Sequence, residues 1–134
     1  MKFYEKKLDE KELYNGKIVR LHVDRVELEN GKTSIRECVD HPGGVCVAVL
    51  TEQDEMFFVR QYRYPYHEAI LEAPAGKLEA GEDPFEAMKR EQKEETGTTG
   101  TAYQELRKLY PSPGYTNEII YLYAFKGWEP PENK

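Results

Sequence analysis

The sequence predicts an α+β domain, mostly β with one firm helix. Three observations carry this. A capped segment, 84–96, has an apolar stripe at helical spacing. An Asn-Gly turn sits between two β-rich segments. Two short apolar runs, VCVAVL (45–50) and IIYLYAF (119–125), are strand-length and rich in β-branched and aromatic side chains.

Taken in order, IVRLHVDRVEL (18–28) mixes alternation with β-branched residues, and Glu29-Asn30-Gly31-Lys32 follows. Asn-Gly supplies the positive φ angles of a tight hairpin, so 33–40 is expected to return antiparallel. After His41-Pro42-Gly43-Gly44, VCVAVL reads as a central strand. Thr51 to Glu55 is a polar turn, and Met56 to Arg63 is expected as its hairpin partner. Tyr62-Arg63-Tyr64-Pro65-Tyr66 then leads into a loop. At Asp83-Pro84-Phe85-Glu86 the first residue can cap, the proline suits the first helical position, and Glu86 stands where a capping box wants a carboxylate. The helix is expected to end near Thr96, with Gly97 as its left-handed stop. Its stripe is Phe85, Met88 and, by spacing, Gln92. Residues 101–110 fit a strand or a short helix, 111–117 a loop, 119–125 a strand, and WEPPENK (128–134) a polar, turn-like tail.

The chain has 134 residues, 39% hydrophobic and 33% charged, which is one ordinary domain's length. Asp plus Glu number 25 against 19 Lys plus Arg, a net charge of -6. That balance argues against nucleic acid as the main partner, while a phosphate substrate stays open because divalent cations reverse a local field. The start lacks an apolar leader core, and no run is long enough to span a bilayer, so no membrane partner is expected. Cys38 and Cys46 fit no CxxC or zinc spacing and read as buried reduced thiols. The expectation is a soluble cytoplasmic domain without a disulfide framework. His22, His41 and His67 make no ligand spacing such as HExxH, Ser112 lacks a recognisable His/Asp arrangement, and there is no GxxxxGK[ST] loop.

Glu91, Glu94 and Glu95 lie within about a turn and a half of the helix. Like charges at i,i+3 and i,i+4 cost a few tenths of a kcal/mol per pair unless a counter-charge arrives. A hard divalent ion with oxygen ligands is the natural counter-charge. The wider spacing is Gly76, five residues, Glu82, seven residues, then Arg90-Glu91-x-x-Glu94-Glu95-x-Gly97. It resembles the Nudix box, G-x5-E-x7-R-E-U-x-E-E-x-G-U, where U is aliphatic. All seven fixed positions match, and chance agreement anywhere in the chain is roughly one in a million at average residue usage. Gln92 and Thr98 stand where the family has aliphatic side chains.

The flanks are similar to the ADP-ribose pyrophosphatase branch. They are Arg36-Glu37, His41 to Val45, Gln61-Tyr62-Arg63, Glu72-Ala73-Pro74-Ala75-Gly76-Lys77, and Ser112-Pro113-Gly114 with Glu118. The resemblance implies an α/β/α sandwich around a mixed sheet. It implies an N-terminal β-hairpin segment (1–42) that serves dimerisation and a hydrolase domain over 43–134. It implies Mg²⁺, with Mn²⁺ as a substitute, held by Glu91 and Glu95, with Glu94 in support and the carbonyl of Ala75 often joining. Gly76, Glu82, Arg90 and Gly97 would be structural, with Glu82 orienting Arg90 or a metal-bound water. Arg36, Glu37 and Arg63 would contact substrate, and Ser112, Pro113, Gly114 and Glu118 would line the terminal-ribose end. Tyr14, Ile18 and Tyr62 to Tyr66 are open choices for an adenine wall. The implied activity is hydrolysis of ADP-ribose or a related nucleoside-diphosphate sugar to AMP and a sugar phosphate, by a homodimer. Members of that branch continue with an acidic loop supplying the base and a closing helix, neither of which precedes Lys134. Glu91, Glu94 or Glu118 is therefore the expected base. The competing expectation is a form that binds metal and nucleotide without efficient catalysis.

Overall fold

The structure, a computed structural model, describes residues 3–97 and 102–126. It divides into two compact units, Met1–Pro42 with Tyr110–Glu118, and Gly43–Leu109 with Ile119–Lys134. The expected N-terminal hairpin is present as β2 (Arg20–Glu27) and β3 (Thr33–Asp40), and a third strand, β1 (Lys6–Asn15), extends it to the order β1-β2-β3. Sequence patterning gives no sign of β1, because KKLDEKELYN carries few β-formers and almost all of it is exposed. Backbone pairing along β2 and ion pairs hold it there: Arg25 to Asp9 at 2.8 Å, and Arg20 to Glu12 at 2.7 Å.

The β2–β3 turn differs from the expected two-residue form. Only Gly31 has a positive φ, 83°. Its N–H donates to the Leu28 carbonyl at 2.9 Å, while the Leu28 N–H donates to Lys32. This is a longer loop in which a turn is closed by one left-handed glycine, so Asn30 needs no unusual backbone angle. Segment 110–118 joins the same unit through Val39, whose N–H donates to the Tyr115 carbonyl at 2.7 Å and whose carbonyl accepts from the Thr116 hydroxyl at 2.8 Å.

The second unit holds β4 (Gly44–Leu50), β5 (Val59–Arg63), a 3-10 turn (Tyr64–Tyr66), β6 (Glu68–Glu72), β7 (Ala75–Lys77), α1 (Pro84–Thr96), β8 (Tyr103–Leu109) and β9 (Ile120–Lys126). Its sheet has the order β7-β4-β9-β8, with β4 parallel to β9 and the other pairs antiparallel. VCVAVL is thus the interior strand its composition predicts. The expected pairing of 56–63 with it holds only at Met56 and at Phe57, whose N–H donates to the Val49 carbonyl at 3.0 Å, and fails for 59–63. Met56 makes a single bridge to Leu50, after which β5 pairs with β6 as a separate hairpin. One edge of β4 is taken along its whole length by β9, while on the other β7 pairs with Gly44 to Cys46 only and the far end meets Met56 and Phe57.

The core lies where α1 covers this sheet. Val45, Val47 and Val49 alternate onto one face beside Tyr123 and Phe125 of β9, and Ala87, Met88 and Leu78 close over them. Full burial of each valine or methionine is worth about 1.5–3 kcal/mol. Asp83 caps the helix by accepting the Glu86 N–H at 3.1 Å. Gly97, at φ 71°, ends it with its N–H on the Lys93 carbonyl. Gln92 is fully buried on the core stripe, and its Oε1 accepts the Tyr103 hydroxyl at 2.8 Å, so the amide sits in an aliphatic slot with a partner. Thr98 and the tail WEPPENK lie outside the described residues. Among those residues α1 is the one α-helix, so a second helical layer of the expected sandwich is not among them. None of the helices described is long and apolar enough to cross a membrane.

Candidate active site

The site is built where β7 runs under the middle of α1. Helical spacing puts Glu91 and Glu95 one turn apart on one side, and both are half-buried. Gly76 lies directly beneath Glu91, and a Cβ built there meets the glutamate side chain at once. That glycine lets the carboxylate lie down against the strand. Glu95 takes a backbone hydrogen bond from Ala75.

Arg90 ties the cluster to the loop before the helix. Its guanidinium forks onto Glu82, with Nη2 to Oε2 at 2.9 Å, and also donates to Glu91 at 3.0 Å. Glu94, more exposed, lies 3.6 Å from the same guanidinium. Glu82 in turn accepts the Glu79 N–H at 3.1 Å. That N–H and Arg90 hold the Glu82 carboxyl below the usual carboxylate range. Glu91 and Glu95 move the other way. Burial pushes Glu91 up, against the pull of Arg90 and with the help of Glu94 and Glu82. Burial pushes Glu95 up as well, reinforced by Glu91 and Glu72 and opposed by Ala75 and Arg63.

Two half-buried carboxylates one helical turn apart, with Glu91 disfavouring the charged form of Glu95 and Glu94 and Glu82 that of Glu91, make a cluster of excess negative charge. That donor set fits a hard divalent cation. Glu91 and Glu95, with Glu94 at the rim, are the side chains that would hold it.

Arg63, at the end of β5, is engaged by a residue not expected as a site residue. Glu72 of β6, which the register sets opposite Val59 rather than Arg63, accepts from Nε at 2.6 Å and from Nη2 at 2.5 Å. A forked pair of this kind fixes the plane of the guanidinium. The sequence signal for Glu72 is its place at the head of the flank Glu72-Ala73-Pro74-Ala75-Gly76-Lys77, four residues before the box glycine.

The other residues expected at the site belong to the first unit. Arg36 is forked onto Glu5 at 2.9 and 2.8 Å, and Glu37 is exposed on β3. Ser112 to Thr116 forms a turn in which the Ser112 carbonyl accepts the Tyr115 and Thr116 N–H groups. Pro113 and Gly114 are exposed there, and a Cβ at Gly114 would meet nothing. Glu118 stands 3.5 Å from the His41 ring.

Comparison with known proteins gives the family. The model of the NUDIX domain matches residues 40–134, which include every box position. The chain belongs to the Nudix family. A second model, the nucleoside diphosphate sugar hydrolase N-terminal domain, matches residues 5–39 of this Nudix chain. It is 46% identical over 131 residues to a methanol dehydrogenase activator of Bacillus methanolicus, covering 98% of this chain and 71% of that protein. It is 42% identical over 119 residues to an ADP-ribose pyrophosphatase of Bacillus subtilis (strain 168), covering 89% of this chain and 64% of that one. A solved structure described as an ADP compounds hydrolase superposes with a TM-score of 0.80 at 21% identity, over 95% of this chain and 69% of that chain. At that identity the likeness speaks for the fold.

Proposed function

We propose that this chain hydrolyses the diphosphate of ADP-ribose or a related nucleoside-diphosphate sugar, giving AMP and a sugar phosphate. The observation that carries it is the packing of Glu91 over Gly76 beside Glu95, which gathers half-buried carboxylates at a Nudix box. Mg²⁺, with Mn²⁺ as a substitute, neutralises phosphoryl charge and lowers the pKa of bound water when present. The protein's own part is to hold these ligands. Arg90, clamped by Glu82, steadies Glu91, and Arg63, aimed by Glu72, offers its guanidinium to a phosphate. The water oxygen bonds to one phosphorus as the bridging P–O bond breaks. The water proton passes to a carboxylate, and Glu91, Glu94 and Glu118 are the three to test by substitution.

The dehydrogenase activator among the relatives favours a second reading, in which the chain raises the rate of a methanol dehydrogenase. Two cysteines without a disulfide support a reducing, cytoplasmic setting, and exposed Leu13, Tyr14, Ile18 and Ile35 support a homodimer through the N-terminal sheet.

ADP-ribose incubated with the protein and Mg²⁺ is expected to yield AMP and ribose 5-phosphate in equal amounts. Nucleotide and metal binding without turnover would favour the non-catalytic alternative. Faster methanol oxidation by a dehydrogenase, without ADP-ribose turnover, would favour the second reading.

A further inference from the structure

A different set of ligand types gathers on one face of the N-terminal sheet. Alternation along β2 puts Arg20, His22 and Asp24 on that face, and the antiparallel register sets Cys38 opposite His22 and Asp40 opposite Arg20. His22 is buried, at 7% exposure, although it sits in a sheet rich in charge. Its Nδ1 lies 2.7 Å from Asp24 Oδ1, and its Nε2 lies 3.0 Å from Asp40 Oδ1. One ligand atom from each of His22, Asp24 and Cys38 lies within 4.8 Å of the other two.

We propose that His22, Asp24 and Cys38 form a second divalent-metal site, suited to a borderline-soft ion such as Zn²⁺ or Co²⁺. The donor set is the first reason. One imidazole nitrogen, one carboxylate oxygen and one sulfur suit such ions, whereas Mg²⁺ takes oxygens and is met by the box instead. Spacing is the second. Bonds of about 2.0–2.3 Å in a tetrahedral site hold ligand atoms roughly 3.3–3.8 Å apart. The Nδ1–Oδ1 separation is 2.7 Å and the three ligand atoms all lie within 4.8 Å of one another, so small side-chain rotations would bring them to that range. The third is the outer shell. A ligating histidine usually gives its other ring N–H to a carboxylate, and Asp40 already stands at Nε2.

Binding releases to solvent the proton between Nδ1 and Asp24 and the thiol proton of Cys38. Burial and the Asp24, Asp40 and Glu10 carboxylates push the Cys38 thiol up, so the incoming cation supplies the charge that ionises it. Without an ion the imidazole rests in a network of its own. Glu10 lies 3.6 Å from Nδ1 and is itself bonded to Lys7 and Arg20, and Arg20 bonds Asp40 at 3.0 Å. With an ion, β2 and β3 are cross-linked midway along their pairing. The site rests on none of the residues argued for hydrolysis.

The test is optical. The chelator-stripped chain, with excess Mg²⁺ to occupy the box, is titrated with Co²⁺ near neutral pH. One equivalent is expected to raise a near-ultraviolet thiolate-to-cobalt band that Zn²⁺ abolishes. The band is expected to vanish in Cys38→Ser and to persist in Cys46→Ser and in Glu95→Gln. Asp40→Asn, whose group never touches the ion, is expected to weaken Co²⁺ by about 10–100-fold. Circular dichroism on each variant separates loss of metal from loss of fold. If Cys38→Ser does not fold, Asp24→Asn takes its place, with weaker Co²⁺ binding expected. Absence of the band in the wild type, or its survival in folded Cys38→Ser, would leave the cluster an ion-pair network only and overturn the proposal.

Discussion

Glu95 carries a charge that its surroundings oppose, since burial and Glu91 both favour the protonated form. Replacing it by Gln is therefore expected to raise the metal-free melting temperature slightly while abolishing Mg²⁺-dependent turnover; calorimetry with and without Mg²⁺ checks both. Unchanged metal affinity would remove Glu95 from the ligand set. Gly76→Ala is expected to act on the same site from below. The new Cβ displaces Glu91, which is a flexible side chain, so metal affinity falls more than stability. Glu72 supplies a pH dependence. The Arg63 guanidinium lowers its pKa in the fold from 4.5, so the pair's stabilisation is present above pH 4.5 and is lost as pH falls through the lowered value. The stability gap between wild type and Glu72→Gln is expected to be at most about 1 kcal/mol near neutrality, because the pair is partly solvated. It should close below pH 4.5, and a gap that grows on acidification would contradict the pairing.

At the scale of the element, α1 is fixed by features that single substitutions can remove. Asp83→Ala takes away the acceptor for the Glu86 N–H and is expected to cost about 1 kcal/mol. Tyr103→Phe removes the hydroxyl that serves the buried Gln92 amide, with an expected cost of about 0.5–1.5 kcal/mol in urea unfolding. A neutral result there would mean that Gln92 loses nothing when its aromatic partner turns apolar. Elements also differ in how far they announce themselves. α1 is written in consecutive local signals, a cap, a proline and a terminal glycine. β1 is a run of Lys, Glu and Asp that becomes a strand only because β2 offers it an open edge and Arg20 and Arg25 offer counter-charges.

For the whole molecule, the N-terminal sheet leaves Leu13, Tyr14, Ile18 and Ile35 each more than half exposed. In the proposed homodimer a partner covers these side chains. Light scattering at micromolar concentration is expected to give twice the mass of the 15.6 kDa chain, and a monomer mass would refute the proposed homodimer. Specificity belongs to this scale too. ADP-ribose is expected to bind more tightly than dGTP, and equal affinities would point instead to a triphosphatase.

By itself the sequence determined what short-range spacing encodes: the helix and its caps, the glutamates of the box, and the two apolar strands. Each depends on residues a few positions apart, where geometry follows directly from the helical or strand period. Tertiary structure decided the rest. Whether 56–63 stays on β4 past Phe57 or turns away to pair with β6 is settled between strands distant in the chain. Whether Arg63 is loose or aimed depends on Glu72, nine residues away across a hairpin. His22, Cys38 and Asp40 are scattered in the chain and meet only through the register of β2 on β3. Pairings of this kind are choices among competing partners, and backbone geometry selects among them only once the sheets have formed.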